Sequence, residues 1–368
     1  MSLYELFKSL GYSDNDYAAI RTSFGVELIR DESLIKKVNQ VYNFLLEYGI
    51  NNEEIRKMVL LFPSILGVSL ENMQNKINFL IKLNYSKKDI IDMIKKFPML
   101  FGLSIENIQG KLDYLISLGY EKEEVLLMIK KHPMIYDLSL SNLNNKYNYL
   151  IGLGYTDKDV LIITRKVPAI YCLNVDLLDD KINFMINLGY SKNELLGMIK
   201  RYPIIYTLSK SNLLGKINDI MKLGYSYNEV LSMTKRQPVI YGLSIDNMRI
   251  KIGNIEELGY SYDQVINMTI ALPALYGVSI ENIKGKIEFY DSIGLHDIAF
   301  LCPSYLMQSV ELSYARYCFY VDKGIDIHID NCLKLFINQG KFERKYGMNN
   351  AELIEKYNFK NKVKLKTP

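Results

Sequence analysis

Seven of the nine prolines in this chain, Pro63, Pro98, Pro133, Pro168, Pro203, Pro238 and Pro273, stand 35 residues apart, and Pro303 follows after a shortened interval of 30. A fixed period of this length is the signature of a repeat architecture, in which each unit is one supersecondary element. Two further columns share the register. Thirteen residues after each proline stands a cation: Lys76, Lys111, Lys146, Lys181, Lys216, Lys251, Lys286 and, in the eighth unit, Arg316. Twenty-one residues after it stands Gly or Asn: Asn84, Gly119, Gly154, Gly189, Gly224, Gly259, Gly294 and Gly324.

Each unit reads as two helices and a connector. In the unit that opens at Pro98, Ser104 suits an N-cap because its hydroxyl can accept a bond from an otherwise unpaired first-turn N–H. Ile105, Ile108, Leu112, Leu115, Ile116 and Leu118 then fall on one helical stripe. Gly119 can adopt the left-handed conformation that ends a helix, with Tyr120 packed back on the last turn. Ser86 with Asp89, Ser191 with Glu194 and Ser226 with Glu229 are capping boxes for the second helix. That helix must stop before the next proline, which disfavours helical geometry in its predecessor and itself suits the first position of a short turn.

Two helices of this size cannot bury an apolar stripe alone, so neighbouring units must stack. The expected fold is an all-α open superhelical solenoid of about eight to nine two-helix repeats. Residues 1–25, with Ser13 and Asp16 as a capping box, are expected to form an N-terminal capping half-repeat. Residues 26–338 form the array, and residues 339–368 a C-terminal capping helix and a basic tail, KNKVKLKTP, expected to lack order.

A Pro-x-Leu/Ile-aromatic connector, a first helix ending in Leu-Gly-Tyr and a second ending in bases before the next proline, all repeated over roughly residues 26–338, resemble the mitochondrial transcription termination factor (mTERF) family. The resemblance implies a left-handed solenoid of helix pairs with a short 3₁₀ turn after each, curved around a basic groove for nucleic acid. It also implies roles in organelle transcription termination and initiation or in ribosomal RNA metabolism, and an organelle matrix as one location.

Charge narrows the mechanism. Residues 339–368 hold eight bases and three acids, so residues 1–338 carry 37 bases and 38 acids, a net of −1. A basic surface on the body therefore requires segregation. A ladder of paired cations supplies one candidate: Lys95/Lys96, Lys130/Lys131, Arg165/Lys166, Lys200/Arg201 and Lys235/Arg236, two and three residues before the proline. It is replaced by Leu60/Leu61 at one end and Ile270/Ala271 at the other. With stacked helices about 8–10 Å apart, five pairs span roughly 40 Å, about 12 base pairs of duplex. The same cations also offset helix macrodipoles wherever they occur.

Two readings stand for the lysine column as well. Lys76 lies about 60° from the centre of the stripe of Met73, Ile77 and Leu80, so its stem runs along the core edge. Its ammonium can face a groove, or it can bond carbonyls that end a neighbouring helix. The aromatic columns, Tyr136, Tyr171, Tyr206, Tyr241 and Tyr276 with Phe101 in the connector, and Tyr85, Tyr120, Tyr155, Tyr190, Tyr225 and Tyr260 after the first helix, suit inter-repeat spacers with hydroxyls in water better than base-stacking platforms.

Nothing reads as catalysis or as a cofactor site. Cys172, Cys302, Cys318 and Cys332 form no CxxC pair, and His132, His296 and His328 sit in unrelated contexts, with His132 merely filling the variable site before Pro133. No enzyme activity, metal or cofactor is expected. The unpaired cysteines suit a reducing intracellular compartment, no run of eighteen apolar residues marks a membrane span, and the N-terminus shows no transit-peptide pattern. The expected partner is nucleic acid, duplex DNA before RNA, bound by a monomer through phosphate neutralisation in a role in transcription. The alternatives are a protein-interaction scaffold on the concave face and a structured-RNA ligand such as ribosomal RNA.

Overall fold

The computed structural model describes residues 2–23 and 31–357; the expected basic tail, 360–368, lies outside them. The backbone divides into two compact units, Met1–Asn183 and Phe184–Pro368.

In the first unit, α1 (Leu3–Ser9) and α2 (Asp14–Ser23) precede the pairs α3 (Asp31–Tyr48) with α4 (Asn52–Leu61), α5 (Leu70–Lys82) with α6 (Lys87–Lys96), α7 (Ile105–Ser117) with α8 (Lys122–Lys131), and α9 (Leu140–Leu153) with α10 (Asp157–Lys166); α11 (Val175–Asn187) spans the division. The second unit continues with α12 (Lys192–Arg201), the pairs α13 (Lys210–Met221) with α14 (Tyr227–Arg236) and α15 (Ile245–Glu256) with α16 (Tyr262–Ala271), then α17 (Ile280–Ser292), α18 (Ile298–Leu301), α19 (Val310–Asp322), α20 (Gln339–Tyr346) and α21 (Asn350–Tyr357). No strand occurs among the described residues. The chain is an all-helical repeat protein.

Each period-setting proline opens a five-residue 3₁₀ turn, from Pro63–Gly67 to Pro303–Met307. The residue before it leaves helical geometry, with φ −142° at Phe97 and −133° at His132, as the proline ring demands. The short α18, four residues long, accounts for the shortened interval before Pro303.

Stacking follows sequence order within each unit. Second helices pack on one another as α4 on α6, α6 on α8 and α8 on α10, and first helices likewise as α13 on α15, α15 on α17 and α17 on α19. Ile108, Leu112 and Leu115 of the sequence-read stripe on α7 are buried, while Ile116 at its edge is exposed.

The aromatic columns differ from the expectation of hydroxyls in water. Tyr120, Thr164 and Tyr171 meet in the first unit, with Tyr120 Oη 2.8 Å from Tyr171 Oη. In the second, Tyr190 Oη lies 2.5 Å from Thr234 Oγ1 and 2.7 Å from Tyr241 Oη, and Tyr225, Thr269 and Tyr276 repeat the arrangement. All nine side chains are buried. In these three triads the hydroxyls of the inter-repeat rings satisfy one another, which spares them the cost of a buried hydroxyl without a partner, and these rings are closed to base stacking.

Candidate nucleic-acid interface

The ladder lies in the last turns of the second helices, and within each unit the two members of a rung do different things. The first member turns toward the preceding repeat. Lys95 Nζ lies 2.8 Å from Glu54 Oε1, Lys130 Nζ 2.5 Å from Asp89 Oδ1, and Lys235 Nζ 3.0 Å from Glu194 Oε1; Arg165 pairs with Glu124 in the same way. Lys200 holds the corresponding place on α12.

Every one of these carboxylates is the third residue of its own helix and already belongs to a capping box. Glu54 Oε2 accepts the Asn51 N–H at 3.2 Å, Asp89 Oδ2 the Ser86 N–H at 3.2 Å, Glu124 Oε2 the Glu121 N–H at 3.3 Å, and Glu194 Oε2 the Ser191 N–H at 2.9 Å. One oxygen caps a helix start while the other holds a cation at the neighbouring helix end, so the carboxylate offsets the positive end of its own helix and fixes the cation that offsets the negative end of the next. The consequence shows in its acidity: the Ser191 amide, and then Lys235, hold the Glu194 carboxyl down at about 2.

The second member of each rung turns the other way. Arg201 donates to the Lys235 carbonyl, and Arg236 donates to the carbonyls of Ile270 and, at 2.8 Å, Ala271. Those arginines therefore cap the end of the next second helix, including α16, which has no last-turn cations of its own. In the first unit the corresponding residues are Lys96, Lys131 and Lys166. All three are exposed and make no hydrogen bond or ion pair among the described residues. They sit on α6, α8 and α10, which are successive neighbours. In the second unit a shallow cleft between α12 and α14 is lined by Asn193, Glu194, Gly197, Arg201, Lys235 and Arg236, three cations against one carboxylate.

In the second unit the column thirteen residues after the proline is occupied with the protein's own backbone. Lys216, Lys251 and Lys286 donate to the carbonyls of Leu243, Val278 and Leu306, the first two just after the following repeat's 3₁₀ turn and the third within it. Lys76 Nζ donates to Asn72 Oδ1 at 2.9 Å. Burial lowers the pKa of Lys76, Lys111, Lys216, Lys251 and Lys286, in each case partly offset by a nearby carboxylate such as Glu106 for Lys76 and Asp137 for Lys111. Lys146 lies close enough to the Cys172 thiol to act on its charge, and Lys181 holds the same place on α11. Arg316 is 1% exposed, with Nη1 donating to the Leu335 carbonyl at 3.0 Å and the Ile337 carbonyl at 2.5 Å, and Nη2 to Asn350 Oδ1 at 3.0 Å. It fastens α19 to the C-terminal helices.

Sequence reasoning passed over His132. Before two of the prolines the preceding side chain reaches over the turn of the next repeat: Phe62 closes on Gly102 and Tyr202 on Gly242. His132 occupies that position between α8 and its turn, and burial together with Lys96 and Lys131 pushes its ring toward the neutral form. Its adjacency to two free cations has no signature in a column otherwise filled by Phe, Val, Tyr, Gln, Leu and Cys.

Among the described residues, no group of His, Cys, Asp and Glu is placed to hold a metal ion, and no helix is long and apolar enough to cross a membrane. In a comparison with known families, the mTERF family matches residues 4–91, 73–188 and 178–342. No curated protein matches the chain.

Proposed function

The chain belongs to the mTERF family, and from that premise we propose that it binds nucleic acid, duplex DNA in preference to RNA, by neutralising phosphates at the ends of its second helices, and that it acts in transcription termination or regulation. The observation that supports this reading is the row Lys96, Lys131 and Lys166, three exposed ammonium groups on stacked helices with no internal partner among the described residues. At about 8–10 Å per helix the row spans roughly 20 Å, some six base pairs at ~3.4 Å each. Phosphate contacts of this kind position a duplex without reading its sequence.

The experiment is a salt-titrated binding measurement with duplex DNA, a structured RNA and single strands. Three phosphate contacts on a duplex give a slope of log affinity against log salt of about −3, steeper if the α12–α14 cleft also engages. Tightest binding to the structured RNA reassigns the ligand within this class. Absence of salt-dependent binding to all three removes the reading. The protein-scaffold reading has its own support, since the first cation of four rungs is matched by a carboxylate of the preceding repeat, and it takes over in that event.

A further inference from the structure

His132 stands at the hinge between α8 and the Pro133–Asp137 turn, its N–H donating to the Met128 carbonyl at 3.0 Å and its carbonyl accepting from Ile135 at 3.1 Å. The backbone there is fixed, and the ring is half-buried. Two cations act on it: Lys131, its sequence neighbour, and Lys96 from α6, which packs against both α8 and this turn.

Among the other charged groups on the surrounding elements, Lys166 on α10 is exposed and unbonded, while three others are engaged elsewhere. Lys130 on α8 is paired with Asp89 and Arg165 on α10 with Glu124. Asp137, at the far end of the turn, acts on Lys111. From the Pro168–Cys172 turn, the residue in the register position that Gly102 holds under Phe62 is Cys172, whose thiol burial pushes up to about 11 and so keeps neutral.

A half-buried imidazole next to Lys131 and on the turn that α6, the helix of Lys96, packs against, with both ammonium groups exposed and unbonded among the described residues, is a site short of an anion. We propose that His132, Lys96 and Lys131 form a proton-coupled phosphate site, in which a backbone phosphate bound by the two lysines also accepts a hydrogen bond from a His132 ring that has taken up a proton. The inference rests on the phosphate-binding reading above and adds its linkage to pH. The balance is simple: the free imidazole nitrogen takes one proton from solvent, no covalent bond to phosphate forms, and the phosphodiester stays ionised throughout. In the free protein, burial and both lysines oppose the imidazolium; a phosphate beside them offsets part of their charge and offers the imidazolium N–H an acceptor, both of which favour the protonated ring. Binding then strengthens as pH falls through the ring's bound-state titration.

The test uses the full chain. Affinity for a mixed-sequence DNA duplex is measured from pH 8 to pH 5.5 at constant ionic strength for the wild type and for His132→Gln, a side chain that the equivalent position carries as Gln237. One coupled proton raises wild-type affinity by up to about tenfold per pH unit below the bound-state titration point, and His132→Gln lacks that increment. Identical pH profiles overturn the proposal. Ring titration by NMR separates the two readings if no nucleic acid binds at any pH: with inorganic phosphate as probe, the His132 titration point is expected to move upward, and in Lys96→Ala without phosphate it is expected to move upward as well. A ring that ignores both overturns the site independently of nucleic acid.

Discussion

Glu194 holds Lys235 at 3.0 Å with the carboxylate oxygen that its own helix cap leaves free. The pair joins the start of α12 to the end of α14, and Lys95 with Glu54, Lys130 with Asp89 and Arg165 with Glu124 repeat it in the first unit. A cation committed in this way serves the stack before it serves a ligand. The ladder is therefore two columns, one tied inward and one directed to the following repeat or to solvent.

Acid titration of stability reads this pair directly. Glu194 is held at about 2 in the fold against an ordinary value of 4.5, so its contribution is complete above about pH 4.5 and is lost as pH falls toward 2. Denaturant midpoints of the wild type and Glu194→Gln are expected to differ at pH 6 and to converge by pH 2. A difference that does not change with pH would contradict the assignment.

The buried hydroxyl cluster of Tyr190, Thr234 and Tyr241 predicts non-additive losses. Tyr190→Phe is expected to cost about 1–3 kcal/mol, since it strands the Tyr241 hydroxyl in a dry interface. Tyr190→Phe combined with Tyr241→Phe is expected to cost less than the sum of the single changes, because both partners then leave together. Additive chemical-denaturation results would show that the hydroxyls act independently.

Lys251 separates structure from ligand contact. Its ammonium donates to the Val278 carbonyl, so Lys251→Met, which keeps the stem, is expected to lower stability by about 1 kcal/mol. Duplex affinity is expected to stay within about twofold. A large affinity loss with unchanged stability would return this column to the binding surface.

For the free row, the triple change Lys96→Ala, Lys131→Ala and Lys166→Ala is expected to flatten the salt slope by up to about 3 on duplex DNA and to weaken binding alike on unrelated sequences. Cooperative melting is expected to survive, since none of the three makes a bond among the described residues. The contrasting change Lys95→Ala with Lys130→Ala removes two inter-repeat ion pairs and is expected to act more on melting than on slope. The reverse pattern would exchange the roles of the two columns.

What the sequence determined was everything decided within one repeat. Proline geometry at Pro98, the Ser104 cap, the stripe through Ile108, Leu112 and Leu115, and the left-handed Gly119, with φ 105°, are local consequences of side-chain and backbone sterics, and the 35-residue period multiplies them into a helical stack. Which cations remain free was decided by tertiary structure. Adjacent residues on a helix point about 100° apart, so Lys130 faces back to Asp89 while Lys131 does not, and no composition rule distinguishes them. Nor does spacing: in a strict repeat every pair of columns keeps a constant offset, so the 41 residues from Glu194 to Lys235 look no more meaningful than any other interval. The stacking of one helix start against the next helix end gives that offset its meaning, because opposite macrodipole termini and a two-oxygen carboxylate meet there in space.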